Sequence, residues 1–312
     1  MNEVELKSLV ALLDDEDPEV FQHIEERLLS YGVGVIPFLE EVWGELKDMV
    51  QQQRLENIIH QLQFNALFSE FEIWHKSKDQ DLLEGLFLVC KYRFPDYPKQ
   101  NLVSAIEKLR LDVWLEMNYE LSAYEKVRII NYIIYQVHGF KGNVDNYHDP
   151  ANSFINQVLE TKKGNPILLA AIYLLVAQRL NIPIFGVNLP QHFVMAYMEE
   201  FGKSNVEMRF NDIEEILNQS GKILFYINAF NGGTIFTKGN LEQFLTQIHI
   251  ETKTDFLNPC SNLDMIKRIL RNLASSYEKL KKPFKQQEIL KILYSLGEPP
   301  LADFHELGLD PE

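Results

Sequence analysis

The 312-residue sequence predicts an α+β fold, with helices at both ends and an antiparallel sheet between them. Three observations carry this. Apolar residues recur at helical spacing from the first turn to about residue 137. Runs rich in aromatic and β-branched residues then crowd into 182–228, bounded by turn signals. After about residue 240 the helical pattern returns.

The N-terminal region reads as helical. Asp17-Pro18 combines a capping side chain with proline at the first helical position, and Val20, Ile24 and Leu28 follow at helical spacing until Gly32. A second helix opens near Val35-Ile36-Pro37 and carries Leu39, Val42 and Leu46. The pair resembles one unit of a HEAT-type repeat, with no second clean copy to extend it. A third helix is expected over 50–75. The pattern then continues to 137, interrupted at FPDYP (94–98), with helices near 99–117 and 122–137.

The stretch KGNVDNYHDPAN (141–152) is polar and turn-rich, with an Asp-Pro turn inside it. Asn152 and Ser153 are expected to cap a short helix over 153–160. Gly164-Asn165-Pro166 opens a long apolar helix over 165–180. Strands are expected over 182–189, 192–198, 205–210 and 222–228, and Asn231-Gly232-Gly233 is a tight-turn signal. The segments MIKRILRNLASSYEKL and FKQQEILKILYSLGEPP read as antiparallel helices broken at Lys282-Pro283. The expected division is a helical region over 1–80, a mixed domain over 81–255 and a helical segment over 256–312.

Composition narrows the function. Hydrophobic content of 46% supports a sizeable core, and the net charge of −15 disfavours phosphate backbones and anionic lipid as partners. Nucleic acid and membrane are therefore not expected. The apolar run ILLAAIYLLVA is well short of the ~20 residues that span a bilayer, and the N-terminus lacks the charge and apolar pattern of a signal peptide. The two cysteines, Cys90 and Cys260, match no metal spacing and point to a reducing compartment, so a cytoplasmic location is expected. His138 and His148 lie near Asp145 and Asp149, but no histidine pair has the i, i+4 zinc spacing, and no metal or cofactor is expected.

The layout of the middle region is that of a cysteine–histidine–aspartate enzyme. A cysteine at a helix N-terminus gains thiolate character from free N–H groups and the helix dipole. A histidine on a neighbouring strand acts as base, and a carboxylate or amide orients its ring. The segment DPANSFINQVLETKKGNPILLAAIYLLVAQRLNIPIFGVNLPQHF, followed by FNGG at 230–233, resembles the SirB1 family, a branch of the transglutaminase-like superfamily. Three blocks match in order: Asp149 to Leu169, Gly186 to Phe193, and Phe230 to Gly233. The C-terminal helix pair resembles a tetratricopeptide-like tail. The resemblance implies a papain-like core of helices plus an antiparallel sheet, and a cleft between helix 165–180 and the strands bearing His192 and Asn228.

The departures from the family pattern bear on chemistry. Counting back from the turn at Leu180 to Pro183 places Pro166 in the nucleophile slot. Serine stands two residues later in many relatives, where this chain has Leu168. Asn228 stands for the aspartate, Ala229 for the proline after it, and Gln191 for the glycine before His192. Proline has no group to attack with, so a degenerate triad of Pro166, His192 and Asn228 is expected, with no functional catalytic residue. Asn152, Asn165, Leu168, Gln191 and Asn231 are candidates for the cleft. His192 is alternatively structural, bonded to Asn228 inside the fold. The favoured expectation is a non-catalytic binding or scaffold module with a protein or peptide partner. The alternatives are a hydrolase or acyltransferase with a relocated nucleophile, Ser153 or Thr161 among them, using His192 as base, and an indirect regulatory protein of the SirB1 type.

Overall fold

A computed structural model describes residues 3–118, 120–199, 222–247 and 257–298. The chain divides into two compact units, residues 1–72 and 73–312. Among the described residues, no helix is long and apolar enough to cross a membrane.

The first unit is helical: α1 (Glu3–Ala11), α2 (Pro18–Leu29), α3 (Ile36–Glu45) and most of α4 (Met49–Lys76). Asp17 accepts from Glu19 N and Pro18 takes the first helical turn, so α2 starts where local chemistry dictates. Leu6, Val10, Ile24, Leu28, Leu39, Leu55 and Ile58 form the core of this unit.

The second unit contains the sheet. Its helices run α5 (Leu82–Arg93), α6 (Lys99–Glu116), α7 (Ala123–Asn131), α8 (Ile155–Thr161) and α9 (Pro166–Arg179). After the sheet come α10 (Lys238–Gln247), α11 (Asn262–Lys279) and α12 (Pro283–Ser295). The helix expected over 122–137 becomes a π-helix at Tyr132–Val137. Strands β3 (Ile184–Leu189), β4 (His192–Met198), β5 (Ile223–Asn228) and β6 (Thr234–Phe236) form an antiparallel sheet in chain order. A two-residue parallel pair, β1 (Lys141–Gly142) with β2 (Lys163–Gly164), lies beside it in sequence but forms a separate sheet. The strand expected over 205–210 lies outside the described residues.

Period-two alternation decides what each sheet face meets. Val187, Leu189, Val194, Ala196 and Tyr226 share a core with Leu241 and Leu245 of α10. The other face meets α9 and α11, which both pack on β3. Helix α11 also packs on α5, α12 and the 3-10 turn Pro150–Ser153. The last two helices lie in the same compact unit as the sheet, residues 73–312.

One cap differs from expectation. Asp149, not Asn152 or Ser153, caps the 3-10 turn, accepting from Ala151 N, and the N-cap position of α8 is Phe154. The Asn152 amide is instead consumed by the loop before it, donating to Asn146 O and Tyr147 O and accepting from Asn143 Nδ2. Asn152 and Ser153 lie within the 3-10 turn that precedes α8, which leaves the cap position of α8 to Phe154 with no side-chain bond.

Candidate functional site

The N-terminus of α9 is built by Asn165 and Pro166. Asn165 is extended (φ −80°, ψ 171°), and its Oδ1 accepts from Leu168 N at 2.9 Å. Pro166 occupies the first turn, where its missing N–H leaves nothing unsatisfied. The short β1–β2 pairing holds the loop after residue 140 beside this helix start through Lys141 N to Lys162 O and Asn143 N to Gly164 O, both 2.9 Å. Asn152 then pins Asn146 and Tyr147, and the Tyr147 ring meets the Phe230 ring edge-on at 5.9 Å.

Strands β3 and β4 join through Pro190 and Gln191. Gln191 is left-handed (φ 58°), and proline followed by a left-handed residue is the type II turn pattern. That explains why glycine suits this position. His192 follows as the first residue of β4, paired with Leu189. Its ring packs edge-on against Phe244 of α10, with centroids 4.9 Å apart. Burial, and secondarily the nearby Arg268 guanidinium, lower its pKa below the usual histidine value, so the imidazole is neutral at pH 7.

Asn228 ends β5. Its Oδ1 accepts from Phe230 N at 3.0 Å and Asn231 N at 3.2 Å, closing an Asx turn. The expected His192–Asn228 bond is absent among the described residues, because the nearer backbone donors capture the amide oxygen. The turn continues through Gly232 and Gly233, both left-handed, into β6. Asn131 at the end of α7 donates through Nδ2 to Gly233 O at 2.7 Å, fastening the hairpin tip.

Pro166, His192 and Asn228 line one cavity of about 570 Å³, and Asn231 stands at it too. The other four cleft candidates do not line it. Asn152 and Asn165 are buried in their own hydrogen bonds, Leu168 is fully buried, and Gln191 forms the exposed β3–β4 turn. Much of the wall came from residues the sequence reading did not single out: Tyr147, Phe236, Asn240, Leu241 and Phe244. Leu241 and Phe244 are three apart on α10, a spacing that places both on one helix face and was the available signal.

The reactive groups near this cavity are few. Of the described residues lining it, Thr234 alone offers a serine-type or threonine-type hydroxyl, and that hydroxyl donates to Asn231 O at 2.7 Å. Thr161 donates to Gln157 O on α8, and neither it nor Ser153 lines the cavity. Burial pushes the Cys90 thiol up to about 12 and raises that of Cys260 further; neither lines the cavity. No group of three His, Cys, Asp or Glu side chains able to hold a metal ion occurs among the described residues.

A family model described as the transglutaminase-like superfamily matches residues 100–271. All three sequence blocks shared with SirB1 proteins fall inside that span. A UPF0162 protein of Xylella fastidiosa (strain 9a5c) is 32% identical over 207 residues, covering 63% of this chain and 64% of the relative. A UPF0162 protein of Vibrio cholerae is 26% identical over 152 residues, 49% of each chain. F-box only protein 21 of Mus musculus is 32% identical over 118 residues, 38% of this chain and 17% of that protein. The chain thus spans less than two thirds of the length of these relatives, and no solved structure matches it. With a matched region holding the α9 start, the sheet and the three triad positions, the chain belongs to the transglutaminase-like superfamily.

Proposed function

We propose that this domain is catalytically inert and works as a binding or scaffold module for a protein or peptide partner. The observation that carries the reading is Pro166 lining the same cavity as His192 and Asn228. The helix start that would activate a thiol carries a ring with no nucleophilic atom. Loss of the nucleophile from a triad costs on the order of 10⁶ in rate. Asparagine in place of the aspartate is a smaller loss, because an amide can also orient an imidazole. Here, however, the Asn228 oxygen is held by Phe230 N and Asn231 N. The test is a sensitive screen for amide hydrolysis, peptide cleavage and transamidation on the full chain. The expected result is no turnover above that of His192→Ala; turnover that His192→Ala abolishes refutes the reading.

A second reading, a hydrolase or acyltransferase with a relocated nucleophile, has one observation in its favour: Thr234 shares the cavity with His192. General-base activation needs the hydroxyl within hydrogen-bond reach of the imidazole. The Thr234 proton instead goes to Asn231 O. If this reading holds, Thr234→Ala and His192→Ala abolish the same activity.

A further inference from the structure

We propose that the cavity takes an uncharged aminoacyl unit with an aromatic or large apolar side chain, whose carbonyl oxygens accept hydrogen bonds from the Asn228 and Asn240 amides. This rests on the inert reading of the site and specifies its ligand. The volume of about 570 Å³ lies within the ~300–1,000 Å³ of small-ligand cavities, which are largely apolar with a few placed polar groups. Among the described residues lining it there is no Asp, Glu, Lys or Arg. A charged ligand would lose its hydration and meet no carboxylate, ammonium or guanidinium on the wall itself. The walls are Tyr147, Phe230, Phe236 and Phe244, whose faces and edges suit an aromatic or aliphatic group.

The polar groups are matched to acceptors. Two backbone N–H groups on Asn228 Oδ1 fix the orientation of that amide. Asn240 is fixed in the same way by Thr237 N at 3.1 Å and Thr237 Oγ1 at 2.7 Å on its Oδ1. Both oxygens are spent on protein donors, so each asparagine retains an NH₂ group that no acceptor among the described residues meets. A pocket whose fixed amides have donors to spare calls for a ligand with carbonyl acceptors, and a peptide unit presents one on each side of its side chain.

The test uses the full chain and three blocked probes: the N-acetyl methylamides of phenylalanine, glutamate and lysine, with affinity measured by calorimetry. The phenylalanine probe is expected to bind at least ~10-fold tighter than either charged probe, a difference of about 1.4 kcal/mol. Asn228→Asp and Asn240→Asp keep the oxygen that each turn uses and lose the donors. Each is expected to weaken the phenylalanine probe roughly fivefold, the worth of one hydrogen bond, while leaving the melting temperature in place. Asn231→Trp, at an exposed position on the cavity wall, is expected to abolish binding without unfolding the protein. Binding of no probe, equal or tighter binding of a charged probe, or binding that survives Asn231→Trp overturns the inference. Amide hydrolysis of the probe, followed in the same samples and lost in His192→Ala, refutes inertness instead; the affinity ranking still decides the ligand class.

Discussion

Replacing Gly233 by alanine probes how the hairpin that carries Asn231 and Thr234 is held. Gly233 is left-handed (φ +74°), a conformation that costs a residue with a Cβ roughly 1–2 kcal/mol. Space is the second obstacle. An added Cβ would overlap Oδ1 and Cγ of Asn131 and sit 2.6 Å from its Nδ2. Since Nδ2 is the atom that donates to Gly233 O, moving the amide aside also forfeits that bond, worth ~0.5–1.5 kcal/mol. The total for Gly233→Ala is about 1.5–3.5 kcal/mol. Asn131→Ala alone removes only the bond and should cost about 1 kcal/mol. In that background the overlap is gone, so Gly233→Ala should cost only its backbone term, ~1–2 kcal/mol. The two substitutions should therefore be coupled by about 1 kcal/mol, which a double-mutant cycle isolates. Hydrogen exchange of the β5 and β6 amides reads the local opening free energy directly. A Gly233→Ala cost under ~0.5 kcal/mol, or an equal cost with and without Asn131, refutes the reasoning.

Three further outcomes are expected. Asn165→Ala removes the cap of α9 and orphans the buried Leu168 N–H, for a loss of about 2 kcal/mol by chemical denaturation, whereas Asn165→Asp retains the oxygen and most of the stability. Burial lowers the His192 pKa, so in acid the unfolded chain binds a proton that the folded chain resists. Stability should thus fall as pH drops below about 6.5 and be fully present above it, and His192→Gln should make that decline shallower without abolishing it, since His75 and His148 are lowered too. The raised thiol pKa values of Cys90 and Cys260 predict resistance of the native protein to iodoacetamide; Pro166→Cys, with its thiol at a helix N-terminus, should alkylate at least ~10-fold faster than either, as followed by intact mass.

The parts of this molecule that local chemistry decides were legible in the sequence. Asp17-Pro18 and Asn165-Pro166 announce α2 and α9 because cap and proline act within one turn. Strand β4 begins at His192 and ends at Met198, as its aromatic and β-branched content predicts. What escaped was settled by competition or by distance. Asn228 was paired with His192 because of the family pattern, yet two N–H groups a few residues away were closer bidders for its oxygen. The π-helix at Tyr132–Val137 leaves no mark on apolar spacing that separates it from an α-helix. Strands β1 and β2 are two residues each, too short to show any period. The aromatic wall of the cavity draws on Tyr147 and Phe244, nearly a hundred residues apart, and only the folded sheet brings them to one place.

The position of α11 has a consequence during synthesis. It lies against α5, α9, β3 and the 3-10 turn, all of which leave the ribosome before it does. With folding proceeding as the nascent chain emerges, the part of β3 and the flank of α9 that α11 covers remain exposed until the residues around 279 have cleared the exit tunnel. A ribosome stalled before that point should display a chain that trigger-type chaperones hold and proteases cut, and release past it should convert that chain to a protected state in one step.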